Sequence, residues 1–201
     1  MTASSEFYTV DLIVNSSAET RGVDAFALAV IKAERQLRKL FTHLVFQFPC
    51  FGVPDIGALR ETLANNKTVY FEGIEAGINC LFSCTVEELV GARYRDLHPR
   101  IKEAIEHRNK IFHGQLTQRC LSREDLLALI SDIRTWCEEL ANGATSRIEY
   151  DGFERNSFRK SPIRSLSEQF KVQLSGVECY DQFIKQHMAR SAICSARRPL
   201  P

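Results

Sequence analysis

Apolar residues recur at steps of three and four between Val23 and Phe48: Phe26, Val30, Ala33, Leu37, Leu40, Leu44 and Phe48. That period places them on one stripe of a helix, with Lys32, Arg35, Gln36, Arg38 and Lys39 mostly on the other side. Two prolines and a glycine in "FPCFGVPD" (48–55) end the element. Shorter helical patterns follow over 55–66 and over 69–82, the second weakened by two glycines. Thr85 with Glu88 has the form of a capping box. "DLHPRIKEAIEHRNKIFHG" (96–114) predicts a helix with Pro99 in its first turn and Gly114 just past its end. Ser122 with Asp125 opens another helix, whose stripe is Leu126, Ile130, Ile133, Cys137 and Leu140, with Gly143 closing it. The "FYTVDLIV" stretch (7–14) is β-branched and aromatic, and suits a short strand or an extended arm.

The pattern predicts an all-α fold. An antiparallel bundle of four to five helices over 20–143 carries a short arm at 1–19 and a basic extension at 144–201. The extension is polar and turn-rich at first. A weaker helical pattern then runs through Leu166, Phe170, Leu174, Val177, Tyr180 and Ile184, broken by Ser175-Gly176.

Charge changes the picture only locally. The 201 residues have a formal net charge of +1, too small for a global pull toward nucleic acid or membrane. Residues 1–146 hold 16 Lys and Arg against 19 Asp and Glu, while residues 147–201 hold 10 against 6, so the extension is the basic part. Seven cysteines, odd in number and irregular in spacing, predict free thiols in a reduced, cytoplasmic protein. Cys80 and Cys84 lie one turn apart, but no CxxC or HxxxH supplies the rest of a zinc site. No apolar run approaches the ~20 residues that span a bilayer.

The 97–113 helix contains a break in its pattern. On a wheel at ~100° per residue, Leu97, Ile101, Ala104, Ile105, Ile111 and Phe112 share one arc, and Arg108 falls near its middle. A guanidinium keeps its charge and is costly to bury alone. Arg108 therefore snorkels or meets a carboxylate such as Glu72, Glu75 or Glu88, unless it serves chemistry. His113 lies ~140° further round, in a last turn where a partly positive imidazole is favoured by the helix dipole. Among the other histidines, His43 fits a boundary position on the long helix. His98 fits the helix start, and His107 adjoins Arg108.

Arg108, Asn109, Lys110-Ile111-Phe112, His113 and the following Gly114 resemble the signature of the HEPN superfamily, the higher eukaryotes and prokaryotes nucleotide-binding helical bundles. The resemblance covers roughly 20–143. It implies a metal-independent endoribonuclease, needing no cofactor, of the toxin or phage-defence kind. It also implies a homodimer that joins two motifs across a dyad, and an antitoxin or regulatory partner. Arg108, Asn109 and His113 are then the catalytic residues. Where some members carry a modified Tyr two residues after the His, this chain has Gln115. The residue types suit the chemistry independently. An imidazole moves protons near neutrality, and an arginine steadies charge on a phosphoryl transition state.

In the extension, "GFERNSFRKSPIR" (152–164) interleaves Arg155, Arg159, Lys160 and Arg164 with Phe153 and Phe158. Such a pattern suits contact with an RNA backbone and its bases. Two other readings stand beside the ribonuclease. One is a catalytically silent module of the same kind that binds nucleic acid or a protein. The other is an ordinary helical interaction protein in which Arg108 and His113 are structural.

Overall fold

The computed structural model describes residues 3–117, 120–154 and 156–190, without the side chains of residues 3, 4, 164, 165 and 167. Among these the fold is all-helical, and the only β-pairing is an isolated bridge between Phe82 and Phe170. The α-helices run α1 (Ala3–Glu6), α2 (Tyr8–Val14), α3 (Arg21–Phe46), α4 (Ile56–Asn65), α5 (Phe71–Leu81), α6 (Val86–Val90), α7 (Tyr94–Phe112), α8 (Arg123–Ile148) and α9 (Val177–His187). None is long and apolar enough to cross a membrane.

The stripe of α3 becomes the floor of the core, with Phe26, Val30, Ala33, Leu37, Leu40 and Leu44 all buried. Against it lie the stripe of α8, with Trp136 fully buried, and Leu97, Ile101 and Ala104 of α7. Both capping boxes form. The Asp125 N–H donates to Ser122 Oγ (3.1 Å), and the Ser122 N–H donates back to the Asp125 carboxylate (2.9 Å). Thr85 and Glu88 do the same at the start of α6.

Three elements depart from the pattern-based expectation. Residues 8–14 form a helix, not a strand or extended arm. Its docking overrides the β-branched composition: Phe7 and Val10 are buried, and Arg134 of α8 reaches both the Asp11 carboxylate and the face of the Phe7 ring. Pro99 is not in the first turn of α7, because the helix begins at Tyr94 after a 3-10 turn at Gly91–Arg93. Gly143 does not close α8, which continues to Ile148. A Cβ at Gly143 would lie 1.9 Å from the Leu89 carbonyl oxygen, so the glycine lets α6 press against the helix backbone. Glu149, in the left-handed conformation at φ 53°, ends α8.

The extension is built into the same core. Tyr150, Phe153, Phe158, Leu166, Leu174, Tyr180, Phe183 and Met188 join the cluster formed by the long helices. The buried Gln36 amide stitches three segments together, donating from α3 to the carbonyls of Cys137 (2.9 Å) and Asp151 (3.0 Å).

Candidate functional site

One face of α7 is left open by the packing. His98, Lys102, Asn109 and His113, spaced by four, seven and four residues, stay near one side of the helix and line a cleft of about 1120 Å³. The opposite wall is Glu34, Leu37 and Arg38 of α3, Thr68 to Ile74 at the start of α5, and Arg190 beyond α9. Arg108 also lines it, so the three predicted catalytic residues share one cavity.

Arg108 is mostly buried, with 19% of its side chain exposed, and its Nη2 lies 2.5 Å from Glu34 Oε1. The partner comes from α3 and is none of Glu72, Glu75 or Glu88. Glu72 meets Lys102 (2.5 Å), Glu75 meets Tyr94 and His98, and Glu88 caps α6. The Arg108 Nε is buried with no hydrogen-bond partner among the described residues, so the fork is only partly used there. Burial pushes the Glu34 carboxyl above its ordinary range, and the Arg108 and Arg38 charges pull it back only in part. An anion entering the cleft therefore competes with a carboxylate that is itself strained by desolvation.

The wheel placed Arg108 at the centre of the apolar arc; the buried face instead passes through His107. His107 is outside the cleft lining, with Nε2 3.3 Å from Glu103 and Nδ1 buried without a partner among the described residues. Asn109 is exposed.

His113 caps α7 and is exposed. Gly114, at φ +63°, turns the chain, and two bonds close the end: Gly114 N–H to the Ile111 carbonyl (3.1 Å) and Gln115 N–H to the Lys110 carbonyl (2.8 Å). This pairing satisfies carbonyls that a helix end otherwise leaves open. It fixes the backbone of His113 while its ring stays accessible. Phe112 and Leu116, on either side, are 62% and 94% exposed.

The cleft also holds residues that the sequence pattern did not single out. Arg38 and Arg190 line it with no hydrogen-bond or ion-pair partner for their guanidinium groups among the described residues, and Tyr70 lines it at 56% exposure. His98 is not simply a helix-start residue. Its Nε2 lies 3.0 Å from Glu75 Oε2, while the Tyr94 hydroxyl donates to Glu75 Oε1 (2.7 Å). The Tyr94 and His98 rings stack at 4.7 Å, beside Trp136. Spacing offered no signal for the pairing of Glu75 with His98, because Glu75 sits about one turn into another helix.

The described part of the predicted RNA-binding strip lies elsewhere. Lys160 Nζ donates to the carbonyls of Phe46 (2.6 Å) and Phe48 (2.9 Å), at the end of α3. Arg159 donates to the Glu149 carbonyl (3.0 Å) and pairs with Glu154 (2.9 Å). Phe153 and Phe158 are buried, so their rings are not open platforms for bases. Arg155 lies outside the described residues, as does the Arg164 side chain. Neither Arg159 nor Lys160 lines the cleft. His43 is buried rather than at a boundary, with Nδ1 3.1 Å from the Ser157 carbonyl and its ring on Tyr150 at 4.5 Å.

The site is thus an open cleft of mixed charge, walled by two long helices, with an accessible imidazole at one end. No protein-family model matches the chain, and no curated protein or solved structure is significantly similar to it.

Proposed function

We propose that the protein is a metal-independent endoribonuclease. The observation that carries this reading is the meeting of Arg108, Asn109 and His113 in one large cleft. The 2′-oxygen of a ribose attacks the adjacent phosphorus. The 2′-O–P bond forms, the P–O5′ bond breaks, and the products are a 2′,3′-cyclic phosphate and a 5′-hydroxyl. One group takes the 2′-OH proton and another delivers a proton to the leaving O5′. Arg108, released from Glu34 by the entering phosphate, stabilises the charge on phosphorus, and Asn109 holds a phosphate oxygen or the imidazole.

A single His113 supplies only one of the two proton transfers. A second copy across a two-fold axis supplies the other. The apolar Phe112 and Leu116 flanking His113 are suited to such a contact. The way α3, α5, α7 and α8 meet around one core supports the antiparallel bundle of four to five helices that the apolar pattern predicts. A toxin or phage-defence effector acting in the cytoplasm, restrained by an antitoxin or regulatory protein, follows from the HEPN resemblance.

One observation favours a second reading. The Glu34 carboxylate already occupies Arg108, as suits a silent module that binds nucleic acid or a protein. The deciding experiment incubates the purified protein with mixed RNA in EDTA, beside His113→Ala and Arg108→Lys. The parent is expected to leave cyclic phosphate ends. His113→Ala loses at least ~100-fold in rate while its melting temperature moves little, since a helix-end imidazole contributes only ~0.3–1 kcal/mol through the dipole. Arg108→Lys keeps the charge, loses the fork, and binds RNA while cutting poorly. Cleavage by His113→Ala at the parent rate ends the ribonuclease reading. Activity that vanishes in EDTA and returns with magnesium refutes the metal-independent mechanism. RNA binding without cleavage by the parent selects the silent module.

A further inference from the structure

The geometry points to His98 as a sugar-reading residue: its imidazole, oriented by Glu75 and Tyr94, accepts a hydrogen bond from a ribose 2′-hydroxyl bound in the cleft. The assignment rests on the reading of the cleft as an RNA site. It concerns a different end of it, because fifteen residues of α7 separate His98 from His113, about 22 Å at 1.5 Å per residue.

Glu75 holds the arrangement together. It is buried, and each of its two oxygens has one close partner: the Tyr94 hydroxyl at 2.7 Å and His98 Nε2 at 3.0 Å. A carboxylate only accepts hydrogen bonds, so the Nε2 that faces Glu75 carries a proton, and in the tautomer with that one proton Nδ1 is the acceptor. Stacking on Tyr94 holds the ring plane. Nδ1 has no protein partner among the described residues, and it is not one of the buried unpartnered polar atoms. It is therefore not fully enclosed, on a residue that lines the cleft.

An oriented acceptor selects a ligand that offers a donor. Around it the cleft is equipped for a nucleotide. Lys102 stands one turn along α7 with Glu72 beside it (2.5 Å), Arg190 carries a guanidinium with no partner among the described residues, and Tyr70 presents a half-exposed ring. Phosphate oxygens only accept, so the cations take the phosphate and leave the acceptor on His98 to the sugar. The 2′-hydroxyl is the donor that separates RNA from DNA. A buried carboxylate holding one imidazole in one tautomer is the arrangement that makes such a distinction, because the rejected deoxy sugar leaves a fixed acceptor unpaired.

The test uses ribonucleoside 5′-monophosphates and their 2′-deoxy analogues, which contain no bond that a ribonuclease of this kind cuts. Affinity is read from the fluorescence of Trp136, the single tryptophan, whose ring lies 6.0 Å from that of His98. The His98 Nδ1 nitrogen resonance is followed alongside. The parent is expected to bind the ribonucleotide about fivefold more tightly, as one net hydrogen bond requires. His98→Ala removes the preference. His98→Gln keeps an amide donor for Glu75 and a carbonyl acceptor for the sugar, and retains most of it. Equal affinity for the two sugars overturns the assignment, as does a preference that survives in His98→Ala, or no binding of either nucleotide. If the alanine variant fails to fold, the parent resonance decides: a shift with the ribo sugar alone supports the subsite, and the same response to both sugars refutes it. Failure here is distinct from failure of the ribonuclease reading. A protein that cuts RNA without sugar preference at His98 keeps its chemistry and loses this subsite, and the reverse result does the opposite.

Discussion

Two basic clusters behave differently in this protein. The extension is richer in positive charge, yet Arg159 and Lys160 spend theirs on the backbone carbonyls of Glu149, Phe46 and Phe48. The cleft is walled mainly by α3, α5 and α7, from the part of the chain with net negative charge, yet Arg38 of α3, joined there by Arg190 from the extension, has no hydrogen-bond or ion-pair partner for its guanidinium among the described residues, and neither has Arg190. Where a cation sits in the sequence says little about whether it is available. A charge close to a helix C-terminus is drawn to the carbonyls there. A charge on a cleft wall with no such acceptor stays open to a ligand.

The contrast can be broken hardest by acidification beneath the extension. Burial, opposed in part by the Ser157 carbonyl and aided by the Arg159 charge, lowers the His43 pKa from 6.5 to about 4. Between those values the unfolded chain binds a proton that the folded one refuses. The stabilisation is complete above pH 6.5 and is lost as the pH falls toward 4, by about 3 kcal/mol at most. Urea unfolding across that window should show the loss, and His43→Gln should flatten it relative to the parent. Equal slopes in the two proteins would mean that His43 is not held in its neutral form.

A smaller effect is expected at Lys160. Replacing it with Met strips a charged donor from two carbonyls at the end of α3, at a cost of about 2 kcal/mol, read as a lower melting temperature. RNA affinity should stay at the parent value. A Lys160→Met protein of unchanged stability and weakened RNA binding would restore the extension as the substrate strip. The smallest change in stability belongs to Arg38→Ala with Arg190→Ala, within ~0.5 kcal/mol of the parent. That pair should instead weaken RNA binding and reduce its logarithmic salt slope by about 1.4, for two phosphates of a single strand. An unaltered slope would take the cleft arginines out of the RNA path.

The long helices were legible because their cause is local. The apolar stripe of α3 located it within two residues at each end, and the capping boxes at Thr85 and Ser122 depend on atoms three residues apart. The same is true of Gly114, whose positive φ ends α7 and presents His113. Within the candidate site, Arg108, Asn109 and His113 stood out by pattern and by resemblance, and they do line one cavity. Periodicity had no means of finding what faces them.

What the sequence by itself determined is the long helices, the capped starts of α6 and α8, the end of α7 and the stretch that breaks the apolar pattern of α7, since each follows from neighbours within one or two turns. Only the tertiary structure decided the partners. Glu34 reaches Arg108 from 74 positions away, and Glu75 reaches His98 from another helix. Gly143 reads as a stop but serves the approach of α6, and Lys160 reads as a free cation but closes α3. These choices depend on which surfaces meet when the helices pack, and packing is settled by the shape of the whole core rather than by the residues beside each position.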